Sequence, residues 1–327
     1  MHYQAQKYPG DITMARAIGK MSWEKYALRP VQNAPPATLP VFIYGTAWKK
    51  DRTADLVHQA LQSGFRAVDT AAQPKHYRED LVGEGIRRAI QDGSVRREDL
   101  HIQTKFTSVQ GQDPENMPYD PRTSVTEQVH ASIKSSLHNL RPSAGPESAE
   151  DAYIDMLVLH SPLSTLAQTI EAWKAFESYV PHRIRNLGIS NCTLPVLKEL
   201  SSQVSVPPAV VQNRFYSMTG FDVPLRAFCR DNDILYQSFW TLTANPELAR
   251  SNPVQQLASQ VSISPAAALY CLVLGLGKTT VLNGTTNEDR MAADLAAPQH
   301  VEKFIEEQPA LWSKIIEDFQ GLVGDSS

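Results

Sequence analysis

The chain has 327 residues, 42% of them hydrophobic and 20% charged, which is the composition of a globular protein with a large core. Its net charge of −4 provides no basic surplus for nucleic acid, and no apolar run is long enough for a membrane span or a secretory leader. Three cysteines lie far apart without a CxxC pair, and nine histidines do not cluster. We therefore expect a cytoplasmic protein without disulfides or a metal site.

Residues 1–39 carry scattered proline and glycine, which predicts a partly irregular N-terminal extension. From 40 to 327, short apolar runs alternate with amphipathic stretches, the pattern of parallel strands joined by helices. Eight such units favour a single (β/α)8 barrel with a C-terminal helical tail over an open sheet. The predicted strands are residues 41–44, 67–68, 101–104, 154–159, 184–189, 209–211, 234–236 and 280–282. The predicted helices are residues 53–63, 78–91, 123–140, 166–179, 194–202, 224–231, a paired segment 253–274, and 287–295, with a helical tail over 299–320.

Three segments lie outside this alternation. Residues 107–122 form a long insertion after the third strand, and residues 141–152 predict an exposed loop before the fourth. Residues 275–280 look like the end of a phosphate-binding loop, but Leu272 stands where such a loop needs glycine, and the segment precedes a strand instead of following one. We interpret it as a helix C-cap followed by a turn.

Polar residues follow at least seven of the eight predicted strands, at the barrel mouth where active sites of such barrels lie. Asp69, Lys105 and His160 follow three consecutive strands, so they can form a charge cluster in which a pKa is tuned for proton transfer. Taken alone, each residue could have a purely structural role: Asp69 as a helix cap, Lys105 as a surface lysine and His160 as a buried histidine. Their matching heights on neighbouring strands favour a functional cluster.

The sequence resembles the aldo-keto reductase superfamily at eight motifs, which occur in family order over residues 40–295. Two further stretches, QPKHYREDLVGEGI and YQSFWTLTANP, are similar to a fungal-type subgroup. The motifs are GTAWK at 45–49, GFRAVDTA at 64–71, VGEGI at 82–86, QTKF at 103–106, LVLHSP at 157–162, RNLGISN at 185–191, VVQNRF at 210–215, and the turn that leads to Arg290.

The resemblance implies an enzyme that transfers a hydride between a nicotinamide cofactor and an aldehyde, ketone or alcohol. A tyrosine would act as general acid, Lys105 would lower its pKa, and Asp69 would keep Lys105 charged and oriented. His160 would orient and polarise the carbonyl. Asn191 and Gln212, beside Ser190, would bind the nicotinamide carboxamide. The remaining expected cofactor contacts are Gly45, Thr46, Ala47, Gln237, Ser238, Thr285, Thr286 and Arg290.

The position of the general acid departs from the family pattern. The family spacing is Asp-x4-Tyr, but Pro74 lies five residues after Asp69, and the only tyrosine nearby is Tyr77. The loop AAQPKHY must therefore bulge to bring Tyr77 over the site. We favour Tyr77 because a phenol is the acid that an Asp–Lys pair is suited to activate, and His76 remains the alternative. Trp48, Trp240 and His76 are expected to line the substrate.

The cofactor phosphate site also departs from the pattern. Gly284 stands where many NADPH-preferring members carry lysine, but Arg290 remains and can bind a 2′-phosphate bidentately, so we expect NADP(H) ahead of NAD(H). We expect a monomer or weak homo-oligomer with a small-molecule substrate. Two alternative functions stay open: a cofactor-binding sensor with little turnover, and a non-redox dehydration or isomerisation through His76 or His160.

Overall fold

The computed structural model describes residues 23–145 and 148–325. Residues 1–22 of the predicted extension, 146–147 of the predicted exposed loop and the last two residues lie outside the described part. Eight parallel strands close into a barrel, so the predicted (β/α)8 fold is confirmed. A short antiparallel hairpin, β1 (Lys25–Ala27) and β2 (Thr38–Pro40), precedes it. The barrel strands are β3 (Phe42–Gly45), β4 (Ala67–Asp69), β5 (His101–Phe106), β6 (Ile154–Leu159), β7 (Ile184–Ser190), β8 (Val210–Arg214), β9 (Leu235–Phe239) and β10 (Thr279–Asn283).

Helices alternate with the barrel strands and surround them, and most of the core lies between the two layers. The paired segment after β9 forms two helices, each with proline in its first turn, where a missing backbone N–H costs no hydrogen bond. The helices are α1 (Thr53–Gln62), α2 (Glu79–Gln91), α3 (Val125–Asn139), α4 (Ser148–Asp151), α5 (Leu166–Glu177), α6 (Leu194–Gln203), α7 (Val223–Asp231), α8 (Pro246–Arg250), α9 (Asn252–Val261), α10 (Pro265–Gly275), α11 (Glu288–Glu307) and α12 (Pro309–Leu322).

Several barrel strands extend further toward the mouth than the apolar runs predict. Lys105 lies inside β5 and pairs with Val158 of β6, and Gln212 lies inside β8 and pairs with Gln237 of β9. Alternate side chains of a strand point to opposite faces, so polar residues at a strand end can turn inward while the ladder continues. The polar residues expected after the strands are therefore largely held by the sheet itself.

The hairpin closes the bottom of the barrel. Leu28 and Leu39 are buried in a cluster with residues of the barrel interior such as Met156 and Val210. Trp23 packs edge-on against Trp312 of α12, with ring centroids 5.7 Å apart. In barrels of this kind, residues at the end opposite the mouth contribute to stability, and active sites lie at the mouth.

The C-terminal helices differ from the prediction. The sequence predicts a helix over 287–295 and a separate helical tail over 299–320, but α11 continues through Pro298 to Glu307, so the predicted end at 295 is wrong. Proline removes one helix hydrogen bond, but the buried side chains of Ala297, Val301 and Phe304 on the same helix offset this loss through packing.

Helices also occur where none was predicted. The short helix α4 lies in the segment expected to be an exposed loop, and α8 lies where no element was predicted. Residues 275–280 end α10 and turn into β10, with Gly277 at a φ of 82°, as the C-cap interpretation predicted. Within the described residues no single helix is long and apolar enough to cross a membrane, although α9 and α10, bent by 107°, pass that test as a pair.

Candidate active site

A buried ion pair lies at the mouth between β4 and β5. Lys105 Nζ is 2.6 Å from Asp69 Oδ2 and donates to the Thr70 carbonyl at 2.9 Å, and both charged side chains are 1% exposed. Burial lowers the pKa of Lys105, but the charges and hydrogen bonds of Asp69 and Tyr77 outweigh it, so this pKa lies above its usual value. Lys105 is therefore a permanent cation next to Tyr77 at neutral pH.

Two glutamine amides hold the other oxygen of Asp69, and a third glutamine supports them. Gln103 Nε2 and Gln212 Nε2 donate to Asp69 Oδ1 at 2.6 and 3.0 Å. Gln237 accepts from both glutamines, at 2.9 Å each, and lies beneath them without exposure to solvent. Both oxygens of the Asp69 carboxylate thus accept hydrogen bonds, which fixes the orientation of the carboxylate toward Lys105.

The loop that departs from the family spacing forms a tight turn. The Gln73 carbonyl accepts from the backbone N–H groups of both His76 and Tyr77, at 3.1 and 3.0 Å. The turn is tied to the 107–122 insertion, because Gln73 Nε2 donates to the Gly111 carbonyl at 2.6 Å and Gln112 Nε2 donates to the Ala72 carbonyl at 2.8 Å. Two long loops therefore hold each other over the mouth.

This turn brings Tyr77 over the ion pair. Lys105 Nζ lies 5.0 Å from the centre of the Tyr77 ring, and the His160 ring meets it edge-on with centroids 6.0 Å apart. Burial raises the pKa of Tyr77, and although the charge and hydrogen bond of Lys105 lower it, the pKa stays above its usual value. The phenol is therefore protonated at neutral pH, with a cation beside it.

His76 faces the rim of the cleft. Its ring stacks on the Trp48 indole with centroids 3.9 Å apart, and its carbonyl accepts from the Trp48 N–H at 2.8 Å. Trp48 itself lies in the left-handed region, with a φ of 64°. The pair forms one wall of the cleft, the position expected of substrate-lining residues.

The ring of His160 is partly buried beside Tyr77. Burial, and then the charges of Lys105 and His76, lower the pKa of His160 to about 3. The ring is therefore neutral at physiological pH. His160 Nδ1 is 2.6 Å from Thr107 Oγ1, and the His160 backbone carbonyl accepts from Asn191 Nδ2 at 2.9 Å.

These groups line one cleft of about 480 Å³. Of the predicted catalytic residues, Asp69, Tyr77 and His160 line it, and Lys105 lies buried beneath. Trp240, half exposed at a φ of 57°, also lines the cleft. The other predicted site residues in its wall are Gly45, Ala47, His76, Ser190, Asn191 and Gln212.

Six residues predicted to contact a cofactor do not line this cleft. Thr46 and Ser238 are fully buried, bonded to the Asp69 carbonyl and to Thr241, and Gln237 lies below Gln212. The other three lie around the N-terminus of α11: Thr285, whose carbonyl accepts from the Tyr44 hydroxyl, and the exposed residues Thr286 and Arg290.

Sequence reasoning did not single out two cations of the cleft. Lys49 Nζ donates to the carbonyl of Gly284, and burial, with a smaller contribution from Arg52, lowers the pKa of Lys49 to about 8. The Arg214 guanidinium lies 4.1 Å from the centre of the Trp240 ring. Neither cation has a carboxylate partner within residues 23–145 and 148–325. Lys49 ends the GTAWK motif, which could have identified it.

The model of the Aldo/keto reductase family matches residues 42–317. An oxidoreductase of Schizosaccharomyces pombe without assigned function is 29% identical over 242 residues, covering 73% of this chain and 75% of its own. A glycerol 2-dehydrogenase (NADP(+)) of Hypocrea jecorina is 27% identical over 297 residues, covering 80% and 85%. The crystal structure of a Brucella melitensis aldo/keto reductase superposes with a TM-score of 0.66 at 20% identity, covering 84% and 93%. The chain therefore belongs to the aldo/keto reductase family of oxidoreductases.

Proposed function

We propose that this chain reduces the carbonyl group of a small aldehyde or ketone, or oxidises the corresponding alcohol, with a nicotinamide dinucleotide as redox partner. The observation that carries the proposal is the chain of contacts from Asp69 through Lys105 to Tyr77, with the neutral His160 beside the phenol. Packing alone gives no reason to bury this ion pair beneath a protonated tyrosine at the mouth of a barrel.

Each side chain has a separate task in this proposal. Tyr77 donates a proton to the carbonyl oxygen, while Lys105 stabilises the phenolate that remains. Asp69 keeps Lys105 charged and fixed in place. His160 holds the carbonyl oxygen by a hydrogen bond. A bound nicotinamide would supply the hydride to the carbonyl carbon, so the product is an alcohol.

The residues of the cleft fit a dinucleotide. The amide donors of Asn191 and Gln212 are used within the protein, but neither amide oxygen accepts a hydrogen bond in the described part of the chain, so both can accept from a carboxamide. Lys49 and Arg214 at the rim, without carboxylate partners among the described residues, suit the negative charge of a pyrophosphate.

We further propose a preference for NADP(H). Arg290 is exposed in the first turn of α11, where the helix N-terminus also favours an anion. The relative from Hypocrea jecorina is named for NADP(+), which supports the same preference. If Lys49 contacts the 2′-phosphate instead of the pyrophosphate, it takes the place of the lysine that position 284 lacks. The cytoplasmic location and the monomeric or weakly homo-oligomeric state stay predictions.

The test follows NADPH and NADH absorbance with a panel of aldehydes and ketones, and Trp48 and Trp240 report cofactor binding through fluorescence quenching. We expect turnover and quenching with NADPH ahead of NADH. Quenching without turnover of any substrate would support the sensor function instead, and substrate conversion independent of either dinucleotide would support non-redox chemistry.

A further inference from the structure

The catalytic-site histidine has a hydrogen-bond partner that the family motifs do not include. Thr107 follows β5 directly, and its hydroxyl lies 2.6 Å from His160 Nδ1. Thr107 is 4% exposed, and its Oγ1 has no other hydrogen-bond partner within the described residues. The other ring nitrogen, Nε2, has no protein partner there, and the ring lines the cleft.

The direction of this hydrogen bond follows from what each atom can satisfy. If His160 carried its proton on Nδ1, that N–H would donate to Thr107, and the buried Thr107 hydroxyl hydrogen would have no acceptor. If the Thr107 hydroxyl donates instead, Nδ1 is the acceptor and both groups are satisfied. Buried donors without acceptors are rare in folded proteins, which favours the second arrangement.

The 107–122 insertion fixes the threonine in place. The backbone carbonyl of Thr107 accepts from the Tyr119 hydroxyl at 2.6 Å and from Gln112 Nε2 at 3.2 Å. A Cβ atom at Gly111 would lie 2.6 Å from Thr107 Cγ2, so only glycine allows the loop to pack this closely on the methyl group. The side chain therefore has little freedom to rotate its hydroxyl away from His160.

We propose that Thr107 is a positioning residue that holds His160 in the tautomer with its proton on Nε2, so that this N–H points into the cleft as a donor for the carbonyl oxygen of the substrate. The role in substrate binding rests on the proposed function. The tautomer does not, because it follows from contacts within the protein alone.

The tautomer is measured by nitrogen-15 NMR of histidine-labelled protein at neutral pH. The signals of the His160 ring are identified as those missing from the spectrum of His160→Gln. In the unmodified protein we expect a pyridine-like Nδ1 and a pyrrole-like Nε2. Thr107→Val keeps the shape but removes the hydroxyl, so the two tautomers should mix, and Thr107→Ser should restore the single tautomer. A pyridine-like Nε2 in the unmodified protein, or a tautomer unchanged in Thr107→Val, overturns the proposal.

Kinetics test the consequence for substrate. Thr107→Val should lower kcat about tenfold, the effect of losing about one hydrogen bond, while the Kd for NADPH stays unchanged and Thr107→Ser recovers the rate. Thr280→Val is the matched control, because Thr280 is buried in β10 and its hydroxyl has no partner in the described part of the chain. An ordered tautomer in a protein without turnover would refute the proposed function and leave the tautomer assignment standing.

Discussion

At the scale of single residues, Asp69 decides what the site can do. One carboxylate oxygen binds Lys105, and the other accepts from Gln103 and Gln212. Three donors occupy most of the acceptor sites of this carboxylate, so its orientation is fixed. In the proposed mechanism Asp69 keeps the Lys105 cation next to Tyr77, and the phenol is the group that exchanges a proton with the substrate.

The first prediction separates the two candidates for the proton donor. Tyr77→Phe removes the hydroxyl beside Lys105 and should lower kcat for carbonyl reduction by roughly 10²–10⁴-fold, the range of general acid catalysis, with the Kd for NADPH nearly unchanged. His76→Gln should lower the rate far less, because His76 stacks on Trp48 at the rim.

Tyr153→Phe is the matched control, since Tyr153 lies at the opposite end of the barrel, where Arg97 and Arg185 stack on its ring. Its rate should equal that of the unmodified protein. A larger rate loss in His76→Gln than in Tyr77→Phe would assign the proton to His76.

The second prediction concerns Lys49, whose pKa is lowered to about 8 by burial, with a smaller contribution from Arg52. A phosphate would bind the protonated form, so the Kd for NADPH should rise as pH increases through about 8, and Lys49→Met should remove this dependence. Isothermal titration calorimetry with NADPH and NADH at several pH values measures this dependence.

The two dinucleotides also locate Lys49. An equal loss of affinity for both in Lys49→Met places Lys49 at the pyrophosphate, and a loss of affinity for NADPH alone places it at the 2′-phosphate. A pH dependence that persists in Lys49→Met contradicts the prediction.

At the scale of elements, the strand ends were predictable and the loop over them was not. Asp69, Lys105 and His160 follow from hydrophobic runs that end at one edge of a sheet. The position of Tyr77 depends on hydrogen bonds between the turn at 73–77 and the insertion at 107–122, two segments far apart in the sequence. A single sequence holds no signal for such a pairing, so the prediction of Tyr77 rests on the chemistry of the phenol and on its being the nearest tyrosine.

The third prediction tests the packing that supports this loop. A Cβ at Gly83 of α2 would lie 1.9 Å from the carbonyl oxygen of Asn139, the last residue of α3. Gly83→Ala must therefore push the two helices apart, and it should lower the free energy of unfolding by about 1–3 kcal/mol. The amide of Asn139 bonds the buried Glu79 at the start of α2, two residues after Tyr77, so kcat should fall as well.

Gly321→Ala in α12 is the matched control, because a Cβ there meets nothing within 4 Å. It should leave kcat unchanged and stabilise the protein by up to about 1 kcal/mol, since alanine loses less conformational freedom in a helix than glycine. Urea unfolding measures both variants. If Gly83→Ala were as stable as Gly321→Ala, the close approach of α2 and α3 would not constrain the fold.

At the scale of the whole molecule, the periodicity predicted the barrel but not its ends. The alternation of apolar runs and amphipathic stretches is a local signal, and eight units of it indicate closure. The entry of Leu28 and Leu39 into the barrel bottom and the continuity of α11 through Pro298 depend on tertiary packing, which local patterns do not encode. The proposed catalytic residues lie at the other end, so these differences leave the proposed site unchanged.

The last prediction concerns acid stability. Folding lowers the pKa of His160 to about 3, chiefly through burial, whereas an unfolded histidine takes up a proton near pH 6.5. Between these values the unfolded state binds the extra proton, so the free energy of unfolding should fall as pH decreases from about 6.5 toward 3, by up to roughly 1.4 kcal/mol per pH unit.

His160→Gln removes the titrating group, so the difference between the two proteins in urea unfolding at pH 7, 6, 5 and roughly 4.5 isolates the contribution of His160. The two curves should diverge only below about pH 6.5. Parallel curves would mean that His160 is protonated in the folded protein as readily as in the unfolded chain, which would also remove the neutral donor that the proposed mechanism requires.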